Sequence, residues 1–124
     1  MKDPIRKKEV VETPEERVRQ AVIVFLHDAL AIPKGLIAVE KAHDQQGFVK
    51  RTDLVVYSRS GEPWMVVECK APKVVISQRT FEQVSNYNRK YQAPYLLVTN
   101  GKDHFCASVD GDAVSFLDQM PSWE

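Results

Sequence analysis

Two short stretches, Asp53-Leu54-Val55-Val56-Tyr57 and Trp64-Met65-Val66-Val67-Glu68, flank the sequence Arg59-Ser60-Gly61-Glu62. Both are rich in β-branched and aromatic side chains and the segment between them carries a tight-turn signal, so the pattern predicts a β-hairpin. A hairpin fixes register. With Ser60-Gly61 as the turn pair, Arg59 faces Glu62, and counting outward sets Asp53 directly opposite Glu68. A four-residue loop over 59–62 gives the same pairing, whereas a bulge would break it. Carboxylates so placed would have Cβ atoms about 5 Å apart on one face of the sheet, where like charges destabilise. A bound hard cation removes that conflict, because Mg²⁺ takes oxygen ligands and commonly uses one or two carboxylates with substrate phosphate. Lys70 comes two residues after Glu68 and emerges on the same face. These three residues are therefore expected on adjacent strands at the sheet edge. Asp53 and Glu68 would hold the ion, with Mn²⁺ able to substitute, and Lys70 would orient water or offset charge on phosphorus. Cys69 points the other way and reads as a small buried hydrophobe.

The elements around the hairpin follow from their punctuation. Residues 1–12 mix Lys2, Arg6, Lys7 and Lys8 with Asp3, Glu9 and Glu12 and read as a flexible leader to a single domain over 13–124. Thr13-Pro14-Glu15-Glu16 opens a helix, with Thr13 as cap, Pro14 at the first turn and Glu16 completing a capping box. Val18, Val22, Phe25, Leu26, Ala29 and Leu30 give that helix one apolar face, and Pro33 and Gly35 end it. Leu36 to Glu40 is a further strand. Residues Ser77 to Tyr91 form a second helix with Phe81, Val84 and Asn88 on one face and Gln83 and Tyr87 four apart beside it. Tyr95 to Thr99 and His104 to Val109 complete the strands, closed by Asn100-Gly101 and Asp110-Gly111. The segment from Ala113 onward gives no clear signal. The order α-β-β-β-α-β-β predicts an α+β (α/β) domain with a mixed central sheet flanked by helices.

Composition excludes several functions. The chain has 124 residues, 44% hydrophobic and 27% charged, enough for one core and ordinary for a globular domain. Its longest apolar run, Ala21 to Leu26, is far too short to span a bilayer, and no secretory signal opens the sequence, so a cytoplasmic location and no membrane partner are expected. Neither a phosphate loop nor a Rossmann glycine motif is present. His27, His43 and His104 are scattered, and Cys69 and Cys106 lack zinc-site spacing. Seventeen acids balance seventeen bases, so no global field draws this chain to nucleic acid.

Asp53 … Glu68-Cys69-Lys70 resembles the D…E-x-K signature of the PD-(D/E)xK nuclease superfamily. The surrounding words, Lys50-Arg51-Thr52-Asp53-Leu54-Val55-Val56-Tyr57, Val67-Glu68-Cys69-Lys70-Ala71-Pro72, Gln83-Val84-Ser85-Asn86-Tyr87-Asn88 and Val98-Thr99-Asn100-Gly101, are similar to the N-terminal nuclease domain of type I restriction enzyme R subunits. The resemblance implies a restriction-endonuclease-like αβββαβ core. It also implies Mg²⁺-dependent hydrolysis of DNA phosphodiesters, with Asp53 and Glu68 as metal ligands and Lys70 as the catalytic lysine. Gln83 and Tyr87 would lie at the substrate or site edge, and Glu16 matches an acid that some members place near the metal, although its capping role explains it equally well. Thr52 stands where the superfamily has Pro. The family's best-known members add an ATP-driven translocase, which 124 residues do not accommodate, so ATP-dependent restriction is not expected of this chain alone. The implied partners are DNA, with a homodimer or other protein subunits. The alternative is a non-catalytic nucleic-acid-binding or assembly module on the same fold, which neutral net charge favours.

Overall fold

The computed structural model describes residues 1–9, 12–43 and 49–123, the backbone alone at 8, 40–43 and 49–53. Two short strands, β1 (Lys2–Asp3) and β2 (Lys8–Glu9), precede helix α1 (Pro14–Asp28). Then come β3 (Ile37–His43), β4 (Val49–Tyr57), β5 (Pro63–Cys69), helix α2 (Gln78–Asn88), β6 (Tyr95–Thr99), β7 (His104–Asp110) and β8 (Ala113–Leu117). Strands β3 to β8 stand side by side in chain order as one six-stranded sheet. All neighbours are antiparallel except β5 and β6, which run parallel. A parallel pair cannot be joined by a tight turn, and α2 is the crossover that joins this one. The result is the expected α+β fold with a mixed sheet and flanking helices. Among the described residues no helix is long and apolar enough to cross a membrane.

Strand alternation sorts the core into two layers. Leu54, Val56, Met65, Val67 and Cys69 pack under Val18, Ile23 and Leu26 of α1. Val55, Val66, Leu96 and Val98 pack under Phe81 and Val84 of α2. Each such fully buried side chain contributes roughly 1.5–3 kcal/mol. Asn88 lies on the buried face of α2, as its spacing predicts. Its amide is satisfied there, donating to Ala93 O at 2.9 Å and accepting from Ala93 N at 2.9 Å. Ser77 caps α2 in a reciprocal capping box with Thr80.

The hairpin reaches its expected register by an unexpected route. Ser58 N donates to Glu62 O at 2.8 Å and Gly61 N to Ser58 O at 2.9 Å, so the loop is the odd-numbered 59–61, with Gly61 at φ +87°. Tyr57 then faces Pro63, but Val56 faces Met65, leaving Trp64 as an extra residue. The bulge shows in the packing, since consecutive Trp64 and Met65 enter the same core layer. Loop and bulge offset one another. Leu54 faces Val67, the register that was expected, and the described pairing stops there, one residue short of Asp53 and Glu68.

Ala113–Leu117, which carries no clear signal in the sequence, is a strand. Two expectations need correction. The apolar face of α1 is rotated, with Ile23 1% exposed and Phe25 43% exposed. The cause is the second correction: residues 1–9, expected as a flexible leader, form the β1–β2 hairpin and cover a polar stripe of Glu16, Arg19 and Gln20 on α1. Asp3, fully buried, accepts from Ile5 N (2.8 Å), Arg6 N (2.9 Å), Arg6 Nε (2.6 Å) and Gln20 Nε2 (3.1 Å). Thr13 caps α1 as expected, accepting from Glu16 N at 3.0 Å. The Glu16 carboxylate, read as the other half of a capping box, instead accepts from Arg6 Nη2 at 2.8 Å and Arg19 Nη1 at 2.7 Å.

Burial opposes ionisation of both carboxylates, but hydrogen bonds from Arg6 and Ile5 to Asp3, and from Arg19 and Arg6 to Glu16, outweigh it. Both are held below their ordinary values of 3.8 and 4.5. Their stabilising contribution is thus complete above the unfolded pKa values and is lost as pH falls through the lower folded ones. Replacing Asp3 by Ala leaves the largely buried Arg6 guanidinium with Glu16 alone and should cost about 3 kcal/mol near neutral pH. Urea melts should show that difference shrinking as the pH is taken below about 4.

Candidate active site

The C-terminal end of β5 is built by what lies beside it. Glu68 and Lys70 alternate with Val67 and Cys69, which belong to the α1-side core, so both emerge on the α2 side. Cys69 is fully buried, as expected of it. Lys70 Nζ lies 3.0 Å from Glu68 Oε1, with the two side chains 31% and 18% exposed. The ion pair is therefore partly shielded, with the lysine its more exposed member. Asp53 belongs to β4, the neighbouring strand; its side chain lies outside the described residues. Strands β4 and β5 are the second and third of six, so this end of β5 lies within the sheet and not at its lateral edge.

The turn after β6 holds this end in place. Lys70 N donates to Thr99 O at 2.8 Å, extending the parallel ladder one step beyond Cys69. Asn100 is 3% exposed. Its Nδ2 donates to Val74 O at 2.9 Å, and its Oδ1 accepts from Lys102 N at 2.9 Å and Asp103 N at 2.7 Å. The loop leaving Lys70 is thus tied at both ends, by Thr99 and by Asn100. Gly101 adopts φ +88°, and a Cβ there would come within 3.2 Å of Val18 Cγ2 on α1. A side chain is disfavoured there on both counts. Thr99 and Asn100 were legible in the sequence only as the end of a strand and an Asn-Gly turn signal; their tie to Lys70 needs the parallel neighbour that only the fold supplies.

The other expected site residues divide. Gln83 is exposed and Tyr87 half-buried on α2, the helix covering the face from which Glu68 and Lys70 emerge. Neither hydrogen-bonds to that pair. Glu16 lies on α1, against the opposite face, buried in its network with Arg6 and Arg19. There it accepts hydrogen bonds from Arg6 and Arg19, across the sheet from Glu68. What the end of β5 offers chemically is one carboxylate suited to a hard cation and one ammonium beside it.

The N-terminal region of type I restriction enzyme R proteins, described as a family, matches residues 14–121. The chain belongs to this family. Over 112 residues, 86% of its length, it is 30% identical to the type I restriction enzyme EcoAI endonuclease subunit of Escherichia coli. It spans 13% of that relative's length. The family match begins at the first residue of α1 and runs beyond β8, so it takes in the whole sheet and both helices.

Asn100 provides a test of how the site is held. Asn100→Asp keeps the acceptor for Lys102 and Asp103 but loses the donor to Val74, and should cost about 1 kcal/mol; Asn100→Ala orphans all three groups and should cost at least about 2 kcal/mol. Denaturant titration measures both, and the Ala variant should show faster amide exchange at Lys70 and Val74.

Proposed function

We propose that this domain is a Mg²⁺-dependent DNA endonuclease of the PD-(D/E)xK kind, related to R-subunit nuclease domains. The observation that carries the reading is the Glu68–Lys70 pair, 3.0 Å apart at the end of β5, with Asp53 on the adjoining strand, in a chain of this family. Glu68 and Asp53 would hold the ion, their hard oxygens suiting Mg²⁺ or Mn²⁺. When bound, the ion supplies Lewis-acid polarisation of a phosphoryl oxygen. Lys70, its ammonium beside the carboxylate, orients the attacking water and offsets the charge that develops on phosphorus as the P–O bond to the leaving group breaks. Gln83 and Tyr87 on α2 contact the DNA backbone at the margin. The domain works in the cytoplasm on DNA and beside other protein subunits, in keeping with the relative's description as a subunit.

A second reading rests on the chain's zero formal net charge: a non-catalytic module whose DNA affinity comes from a partner. Supercoiled plasmid with Mg²⁺ or Mn²⁺ separates them. Wild type should nick it, and Asp53→Asn, Glu68→Gln and Lys70→Ala should each slow nicking by roughly 100-fold or more with circular dichroism unchanged. Equal cutting by Lys70→Ala would refute the assignment of the lysine. DNA binding with no cutting by wild type would favour the second reading.

A further inference from the structure

The two edges of the sheet are finished differently. β3 carries a register irregularity between Val39 and Lys41 and the charged pair Glu40-Lys41, devices that keep an edge strand from pairing with another chain. β8 has neither. Ala113-Val114-Ser115-Phe116-Leu117 contains no charge and no proline, and it pairs with β7 without a bulge. Val114 is 38% and Phe116 65% exposed. Both stand on the α2 face, opposite Val109 and Ala107, with the Phe116 ring packed edge-on against Phe81. Among the described residues nothing pairs with the outer side of the strand. The segment that follows turns away under the α1 layer, where Trp123 Nε1 donates to Tyr57 O at 3.0 Å.

The flanks decide what can pair there. Asp110 and Asp112 precede the exposed run and Asp118 follows it; all three are exposed, and among the described residues none enters an ion pair. A second copy laid antiparallel about Ser115 would set Asp112 of each chain opposite Asp118 of the other, two like-charge contacts that destabilise. The same acids repel DNA phosphate. A strand with a base at each end turns both repulsions into attractions. We propose that the β8 edge docks an extended segment of a partner protein as a seventh strand. That segment carries apolar side chains at alternate positions, to cover Val114 and Phe116, and Lys or Arg at both ends, to meet the aspartates. The docked strand would lie four strands from β5 and so does not cover Glu68 and Lys70.

The peptides KKVTVTVKK and EEVTVTVEE, titrated into the ¹⁵N-labelled full chain, test this. The basic peptide should shift amides of β7 and β8 and bind at least about tenfold more tightly than the acidic one. Phe116→Lys, at an exposed position, should abolish binding, and Asp112→Lys with Asp118→Lys should reverse the preference, the spectra confirming that each variant is folded. The proposal is overturned if wild type binds neither peptide, binds both equally, or shows shifts outside this hairpin. It is also overturned if wild type sediments as a dimer that Phe116→Lys dissociates.

Discussion

Both helices and the two halves of the main sheet meet on β5. The strand is buried on both faces, with Met65 and Val67 under α1 and Val66 under α2. It pairs antiparallel with β4 and parallel with β6. The parallel pairing has the greatest consequence. It requires a crossover, which places α2 over one face. It also brings the C-terminal ends of β5 and β6 together, with Cys69 opposite Thr99. The residues that follow each strand therefore meet, and Lys70 is held by Thr99 while its departing loop is held by Asn100. The carboxyl ends of parallel strands are where open α/β sheets build ligand sites, and the Glu68–Lys70 pair stands at such an end.

Much of this was legible in the sequence because short-range rules determine it. Thr13 caps α1 where the capping rule puts it, and α2 begins at Gln78, one residue after its expected start at Ser77. The apolar positions of α2 and the alternation around Glu68-Cys69-Lys70 lie where their periodicities put them. The hairpin register is a subtler case. Loop geometry and strand pairing were each expected to be regular, and neither is, yet the odd loop and the Trp64 bulge compensate. A buried hydrophobic pattern explains why: shifting Leu54 and Val56 by one residue would turn both out of the α1-side core. The core therefore specifies register more strongly than the turn does.

What was not legible depends on contacts distant in sequence. Asp3 and Arg6 look like part of a solvated charge run until α1 supplies Glu16 and Gln20 to complete their hydrogen bonds. Once it does, the buried stripe of α1 rotates toward them and Phe25 is left outside. β8 gives no periodic signal because residues 113–116 are exposed on both faces. Asn100 reads as a turn residue from its dipeptide with Gly101, and only the neighbouring β5 shows that it anchors the loop after Lys70. For the site, the sequence motif identified Glu68 and Lys70 as partners on one face, and the structure brings them to 3.0 Å.

We propose that a divalent cation binds at the C-terminal end of β5, on Glu68 and on Asp53 of the adjoining β4. Paramagnetic Mn²⁺ titrated into the ¹⁵N-labelled chain tests it directly, because line broadening falls off steeply with distance from the ion. Broadening should centre on the amides of Leu54, Cys69 and Lys70, disappear in Glu68→Gln, and leave the β7–β8 hairpin sharp. Broadening that centres on Asp110 to Asp112, or that survives unchanged in Glu68→Gln, would contradict the account.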